Sequence, residues 1–483
     1  MIHTRRARVG IVGMGHFVYW PQFEGLVDEL KQKQKIDAGY FRECEVVDLG
    51  FADEIDSSIV CLKKALAADL DALFIVMSTY ITSQVVFPFV KYLRVPQILL
   101  ALQPLEALDY SKTTTYMQLC NDDICSLPEF AGVYERLGAK KPYIIVETAS
   151  NTERIAERIS VYERAISAVA AFKYAKFGYL GHTYDGMYDM NTDPTAFAGC
   201  FGAHVKQLEM CELVEYVESA TDAQVRARID EIKSIFDIRE PSNDPLTEYV
   251  HDTDLELAAR CSVGLDRLVE THGLAALAYF YKGENGNEYE RIASNLIIGN
   301  SLLTSRGIPL AGEADLKTAA AMLIMSKIGG GGSFAELHPF DVRDDIVLIG
   351  HDGPHNINIS NEKPVLRKLK KFHGKPGAGV SVEFKLKTGP ISLLSCSVGG
   401  DGKLKLISAV GESMPGAIPA TGNTNTKCRF SVPATEFVER WCAAGPTHHL
   451  ALGVGDRSRE ISLFCDMMGI RHIDALGAEF REI

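Results

Sequence analysis

From residue 7 onward, short β-branched apolar runs alternate with amphipathic helical windows, and this alternation restricts the fold more than any other feature. The runs "RVGIVGM", "CEVVDLG", "DALFIVMST", "PQILLAL" and "PYIIVETA" are spaced by helical windows such as "PQFEGLVDELKQKQK" and "DSSIVCLKKALAAD". Apolar runs between helices belong to strands buried on both faces of a parallel sheet. The expected class is α/β, opening with a doubly wound N-terminal domain over residues 1–175. The long window "NTERIAERISVYERAISAVAAFKYA" predicts a helix, and α/β alternation then resumes. Strands are expected at "HVKQLEMCELVEYVE" and "LAALAYFYKG", helices at "DAQVRARIDEIKSIF" and "TDLELAARCSVGLDRLVETHG". These define a second doubly wound α/β domain over residues 176–325.

After the tract Gly329–Gly332 the texture changes. Alternation in "SVEFKLKTG" and "GKLKLISAV", with Gly-Gly-Asp-Gly between them, predicts antiparallel hairpins. The domain over residues 326–483 is therefore expected to be β-rich and barrel-like, with a helix at "TEFVERWCAAG" and an α/β tail. Three domains suit 483 residues, because single cores stop growing at roughly 250–300 residues.

A net charge of −13 argues against nucleic acid or an anionic membrane as partner, since both need a basic face. The apolar run after the N-terminal arginines is too short for a secretion signal, and nothing resembles a span of roughly 20 apolar residues. Eleven cysteines without a CxxC pair fit a reducing compartment. A cytoplasmic protein is expected.

Several segments offer chemistry. In "GIVGMGHF", Gly13 and Gly15 follow a strand, but Val18 stands where a dinucleotide fingerprint needs its third glycine. A tight turn is expected there and no nicotinamide cofactor, although His16 and Tyr19 would lie where open α/β sheets bind ligands. In "GIPLAGEADLKTAAAMLIM", Glu313 ends a strand and Asp315 is placed to cap the next helix. In "GGGGSFAELHPFDVRDDIVLIGHDGPHN", Glu336 follows glycines that permit positive φ, and His351 ends an apolar run. His16, His338 and His355 each read as solvated histidines near turns. His448 and His449 are adjacent, so in an extended segment only one of them would face a given site. Glu313, Glu336, His351 and one histidine of the doublet form a mixed oxygen and nitrogen set. Such a set suits octahedral Mn²⁺ or a similar ion better than a closed zinc site.

In these same segments the chain resembles the L-arabinose isomerase and L-fucose isomerase superfamily. "GEADLKTAA" is similar to its Glu-Gly-Asp-Trp-Lys-Thr-Ala, "GGGGSFAE" to its Gly-Gly-Thr-Ser-Phe-Met-Glu, "DIVLIGH" to its Asp-Leu-Val-Leu-Gly-Ser-His, and "GPTHHLAL" to its Gly-Ala-His-His-Thr. The resemblance implies a metal-dependent aldose–ketose isomerase working on an open-chain sugar through a cis-enediolate. Glu313 and Glu336 would be ligands and the acid/base pair, with His351 and His449 completing coordination of Mn²⁺, or of Co²⁺ or Mg²⁺. It also implies a trimer or hexamer with active sites between subunits. "GMGHFVYWP" departs from the family's Gly-Ser-Gln-His-Leu-Tyr-Gly, and "GHTYDGMYDMNTDP" departs from true arabinose isomerases. Sugar contacts are expected from His16, Tyr19, His182 and Met187. The competing expectation is a non-catalytic sugar-binding or regulatory protein on the same scaffold.

Overall fold

In the computed structural model, residues 5–280, 287–352, 354–369 and 379–477 are described. The chain divides into two units, Arg5–Ala170 and Ala171–Ile483.

The first unit carries the strands β1 (Arg8–Met14), β2 (Glu45–Ala52), β3 (Ala72–Met77), β4 (Gln97–Gln103) and β5 (Tyr143–Thr148). They pair parallel throughout, in the order β2-β1-β3-β4-β5. Every residue of β3 is buried, as a central strand covered on both faces requires. The chain leaves β1 towards β2 and returns past it to β3, so the strand order reverses there, and His16 and Tyr19 follow β1 at that edge. Gly13 and Gly15 are required by close packing. A Cβ at Gly13 would lie 2.4 Å from the Gln34 side chain, and one at Gly15 would lie 2.9 Å from Phe51 and Trp20.

In the second unit, β6 (Lys176–Leu180), β7 (His204–Leu208), β10 (Ala276–Tyr279) and β11 (Leu310–Ala311) form a parallel sheet in the order β11-β10-β6-β7. A small sheet joins β8 (Asp237–Ile238), β9 (Thr247–Glu248), β14 (Val365–Leu369) and β15 (Val380–Glu383). The remaining strands are β12 (Ser333–Asp341), β13 (Ile346–His351), β16 (Gly389–Val398), β17 (Leu404–Ser413), β18 (Thr424–Phe430), β19 (Leu450–Val454) and β20 (Arg471–Asp474). Six of them close an antiparallel barrel, β16-β19-β12-β13-β18-β17 and back to β16, with β20 added parallel to β17. The expected α/β class and the barrel are both present. A continuous apolar core links the helix Asp252–His272, through Leu255 and Ala259, to barrel residues such as Ile391, Ile407 and Leu450 and to Trp441 of the helix Ala434–Ala443.

Two local expectations are corrected. The segment 204–218 is not one strand. It is β7 followed by the helix Met210–Glu218, whose Leu213, Val214 and Val217 are buried at helical spacing. The segment "SVEFKLKTG" does not pair with "GKLKLISAV" either, because β15 turns away to pair with β14, and the hairpin partner of β17 is β16. The expected strand "LAALAYFYKG" is present as β10, but its last residues lie outside the described ones. All eleven cysteines are free, seven of them buried. Among the described residues no helix is long and apolar enough to cross a membrane.

Candidate metal centre

Glu313 sits immediately after β11, in a short 3₁₀ turn over Gly312–Ala314 where the sheet edge meets the helix Leu316–Lys327. Both Glu313 (φ 58°) and Ala314 (φ 55°) are left-handed. That conformation is costly for side-chain-bearing residues and is found where surrounding structure enforces it. The turn is tied down from outside by Tyr184, whose N–H donates to the Glu313 carbonyl at 3.3 Å.

The other groups come from the barrel. Glu336 and His338 are two apart on β12 and so share a face. His351 ends β13, and His448 and His449 lie just before β19. Register fixes their neighbourhood: Glu336 is opposite Gly350, Gly350 is opposite Asn425 on β18, and Ala335 is opposite Leu450. The glycine tract allows the helix Leu316–Lys327 to run directly into β12. Gly332 has φ 71°, and a Cβ there would lie 2.8 Å from the Met322 carbonyl.

Donor atoms of Glu313, His351 and His449 lie within 4.8 Å of one another. Glu313 Oε2 and His449 Nε2 are 3.2 Å apart, both buried, and neither makes a hydrogen bond among the described residues. Two such orphaned atoms facing each other beside an imidazole are what a cation of the Mn²⁺ class would satisfy. The residues present fit a divalent ion. The rings are also held in useful tautomers. His449 Nδ1–H donates to Asp315 Oδ2 at 3.2 Å, and His351 Nδ1–H donates to the Asp352 carbonyl at 2.7 Å, so that in both rings Nε2 is left for a ligand. Phe334 packs against both, with ring centroids 4.3 Å from His449 and 4.6 Å from His351.

Glu336 belongs to a second set with His448 and His449, whose donor atoms also lie within 4.8 Å. Its Oε2 accepts from His448 Nε2–H at 2.6 Å and its Oε1 from His338 Nε2–H at 3.0 Å. His338 is thus not a solvated turn histidine, because it lies against Glu336 and Asn425. His355 is not one either. It is buried, donates through Nε2 to the His351 carbonyl at 2.9 Å and accepts from the Ser333 hydroxyl at 3.0 Å. Both histidines of the 448–449 pair reach site carboxylates, because His448 occupies a bend before β19 and strand alternation does not govern it.

Charges follow from these contacts. Burial lifts the Glu336 carboxyl, but His338 and His448 outweigh it and hold the group well below the usual carboxylate range. Burial likewise opposes the net lowering of Glu313, which His449 and His351 bring about. Burial pushes His351 down to about 4 and His355 to about 3, leaving both neutral. His449 moves the other way. Burial works against its charge, yet Asp315 and Glu313 carry its pKa up to about 9, so a cation must displace a proton from it at neutral pH.

Supporting residues that sequence reasoning missed surround this centre. Lys317 is fully buried beside Asp315 (3.7 Å) and donates to the Met190 carbonyl at 2.5 Å. Asp189 Oδ2 accepts from the His448 N–H at 2.7 Å and the Thr447 hydroxyl at 3.0 Å. Asp315 caps its helix through Thr318, as expected, and also holds His449. Of the expected sugar contacts, His182 is exposed and stacks on Phe280 at 4.2 Å, and Met187 is half-buried just before Tyr188–Met190. His16 and Tyr19 belong to the first unit. There His16 is half-buried rather than solvated, with its ring edge-on to Tyr19 (5.4 Å) and Tyr80 (5.8 Å).

Residues 190–331 match the L-arabinose isomerase central domain. Over 356 residues the chain is 24% identical to the L-arabinose isomerase of Shigella dysenteriae serotype 1 (strain Sd197), covering 71% of this chain and 68% of that protein. It is 26% identical over 285 residues to the L-arabinose isomerase of Escherichia coli (strain K12), covering 56% of this chain and 54% of that protein. The match to the Escherichia coli O157:H7 enzyme is alike, 26% over 284 residues. The chain spans about half the length of these Escherichia coli relatives. The chain is thus similar, at low identity, to L-arabinose isomerases.

Proposed function

We propose that this chain is a sugar isomerase that interconverts an aldose and a ketose with Mn²⁺, or an ion such as Co²⁺ or Mg²⁺, held by Glu313, Glu336, His351 and His449. The observation that carries the reading is the pair of buried atoms Glu313 Oε2 and His449 Nε2, which face each other at 3.2 Å beside His351 and make no hydrogen bond among the described residues, in a chain similar to L-arabinose isomerases. When bound, the cation would supply the Lewis acidity that polarises a sugar carbonyl. Glu313 and Glu336 do the proton work. One carboxylate removes the proton from the hydroxyl-bearing carbon next to the carbonyl, giving a cis-enediolate; that proton returns to the former carbonyl carbon, and the hydroxyl proton passes from one oxygen to the other. Their surroundings differ, since Glu313 faces His449 in the buried set whereas Glu336 is hydrogen-bonded by two imidazoles, and unequal surroundings let two carboxyls take opposite roles. Asp315 keeps His449 Nε2 directed at the cation position.

In this reading His182, Met187, His16 and Tyr19 contact the sugar, and the chain works as a cytoplasmic trimer or hexamer with sites between subunits. Both parallel sheets are doubly wound, and the domains run 1–175, 176–325 and 326–483. The test is to incubate the purified chain with Mn²⁺ and a panel of pentoses, hexoses and 6-deoxyhexoses in D₂O. Interconversion is expected, with deuterium at the carbon that receives the hydrogen. Sugar binding without interconversion of any panel member would replace the isomerase by a sugar-binding protein on the same scaffold. Interconversion without deuterium uptake would remove the enediolate route.

A further inference from the structure

Glu336 is turned towards a group of its own. Its carboxylate and one ring nitrogen each of His448 and His449 lie within 4.8 Å of one another, the scale that an ion with metal–nitrogen bonds of ~2.0–2.1 Å draws together. The surroundings are constructed to hold it. Asp189 fixes the bend at Thr447 and His448 through two hydrogen bonds. His338, backed by Asn425 at 2.5 Å from its Nδ1, donates to the carboxylate oxygen that His448 leaves, the kind of outer contact that orients a ligating carboxylate. His449 Nε2 is buried and has no hydrogen-bond partner among the described residues. The His448 side chain is 45% exposed, which leaves a route for water into a fourth position.

We propose that Glu336, His448 and His449 form a second, outer cation position that favours a nitrogen-preferring ion such as Zn²⁺ and cannot be filled together with the inner position at Glu313, His351 and His449. This rests on the reading of Glu313, Glu336, His351 and His449 as a cation set, and not on any sugar chemistry. Exclusion follows from His449. Its Nδ1 is committed to Asp315, and the single lone pair on Nε2 binds one ion. Preference follows from the donors. Two imidazoles, one carboxylate and a water make the four-coordinate arrangement common for Zn²⁺, whereas the inner ion, with Glu336 swung in, has two carboxylates and two imidazoles, a set suited to Mn²⁺. An ion in the outer position therefore withdraws Glu336 and His449 from the inner one.

The experiment titrates the metal-depleted full-length chain with ZnCl₂ and MnCl₂, alone and in competition, by calorimetry and elemental analysis. The expected result is one Zn²⁺ per chain and loss of Mn²⁺ as Zn²⁺ is added. His448→Ala should weaken Zn²⁺ by about 10-fold or more and leave Mn²⁺ binding in place, while Glu313→Gln should weaken Mn²⁺ and spare Zn²⁺. His448→Gln serves as a second variant at the same exposed position. Unchanged Zn²⁺ affinity in both His448 variants, or one Zn²⁺ and one Mn²⁺ bound together, would overturn the proposal. A chain that shows this competition but converts no sugar would fail the isomerase reading and keep the outer position. A chain that binds Zn²⁺ through His448 but no Mn²⁺ would refute the inner set and the competition that depends on it.

Discussion

Asp315 has no exposed surface, yet its carboxylate meets four partners: Thr318 N–H at 3.1 Å, the Thr318 hydroxyl at 2.8 Å, His449 Nδ1–H at 3.2 Å and the Lys317 ammonium at 3.7 Å. The capping role alone would be kept by asparagine. The charge would not be, and Lys317 is equally buried, with the Met190 carbonyl as its other contact. Asp315→Asn is therefore expected to cost about 3–5 kcal/mol in urea unfolding, the range for leaving one member of a buried ion pair uncompensated. It should also weaken Mn²⁺ binding by roughly 10–100-fold, because His449 loses the carboxylate that orients it. A variant as stable as the parent would show that Lys317 is not held by this pair. At this scale the sequence was partly legible. Glu313 lies at a helix approach, His351 at a strand end and Glu336 just beyond the glycine tract, where pattern reading draws attention to them, and His338 could have been found as the residue two beyond Glu336 on the same strand face. Asp189 could not. It reaches Thr447 across 258 positions of sequence, and no local spacing connects them.

Strand register turns these residues into a centre. Glu336, Gly350 and Asn425 form one row across β12, β13 and β18, which puts His351 one step from Glu336's partner. The row requires glycine at its middle, since a Cβ at Gly350 would lie 1.9 Å from the Thr424 carbonyl oxygen. Backbone cannot yield as a flexible side chain would, so Gly350→Ala should force β13 and β18 apart. The expected loss is about 1–3 kcal/mol or more, read as a lowered midpoint of thermal or urea unfolding, with weaker Mn²⁺ binding because His351 moves with the strand. An unchanged midpoint would mean that the strand pair opens freely. The β-rich segment and its turn at Gly399–Gly402 were visible in alternation and glycines, which are local properties. Barrel closure between β16 and β17 and the departure of β15 to β14 were not, because strand partners are chosen by burial on both sides of a sheet and several runs offered the same alternation.

The two units of the molecule hold their buried carboxyls under opposite conditions. In Arg5–Ala170, Asp37 and Asp123 share the buried Lys33, which lies 3.6 Å from Asp37 and is ion-paired with Asp123. Burial outweighs that lysine and pushes both carboxyls from an ordinary 3.8 up to about 6. Between about pH 4 and 6 the folded unit keeps protons that the unfolded chain has released. Its stability from these groups accordingly falls as pH rises through that window and returns on acidification. In Ala171–Ile483, Asp315 and Glu336 are held below their ordinary values, against burial, by Lys317 and His449 and by His338 and His448 respectively. Their contribution is present above the unfolded pKa near 4 and is lost as pH falls below it. Mild acid should thus strengthen the first unit, and stronger acid should weaken the second one first. Each unit contains one of the chain's two tryptophans, Trp20 and Trp441, so Trp441→Phe and Trp20→Phe give chains that report on one unit apiece. Trp441 fluorescence is expected to change at a higher pH than Trp20 fluorescence during acid titration. Asp37→Asn should shrink the rise in first-unit stability between pH 6 and 4, since Asp123 would then have Lys33 to itself. Coincident acid transitions for both tryptophans would show that the units unfold as one cooperative body and that the carboxyls at these two centres do not govern its response to pH.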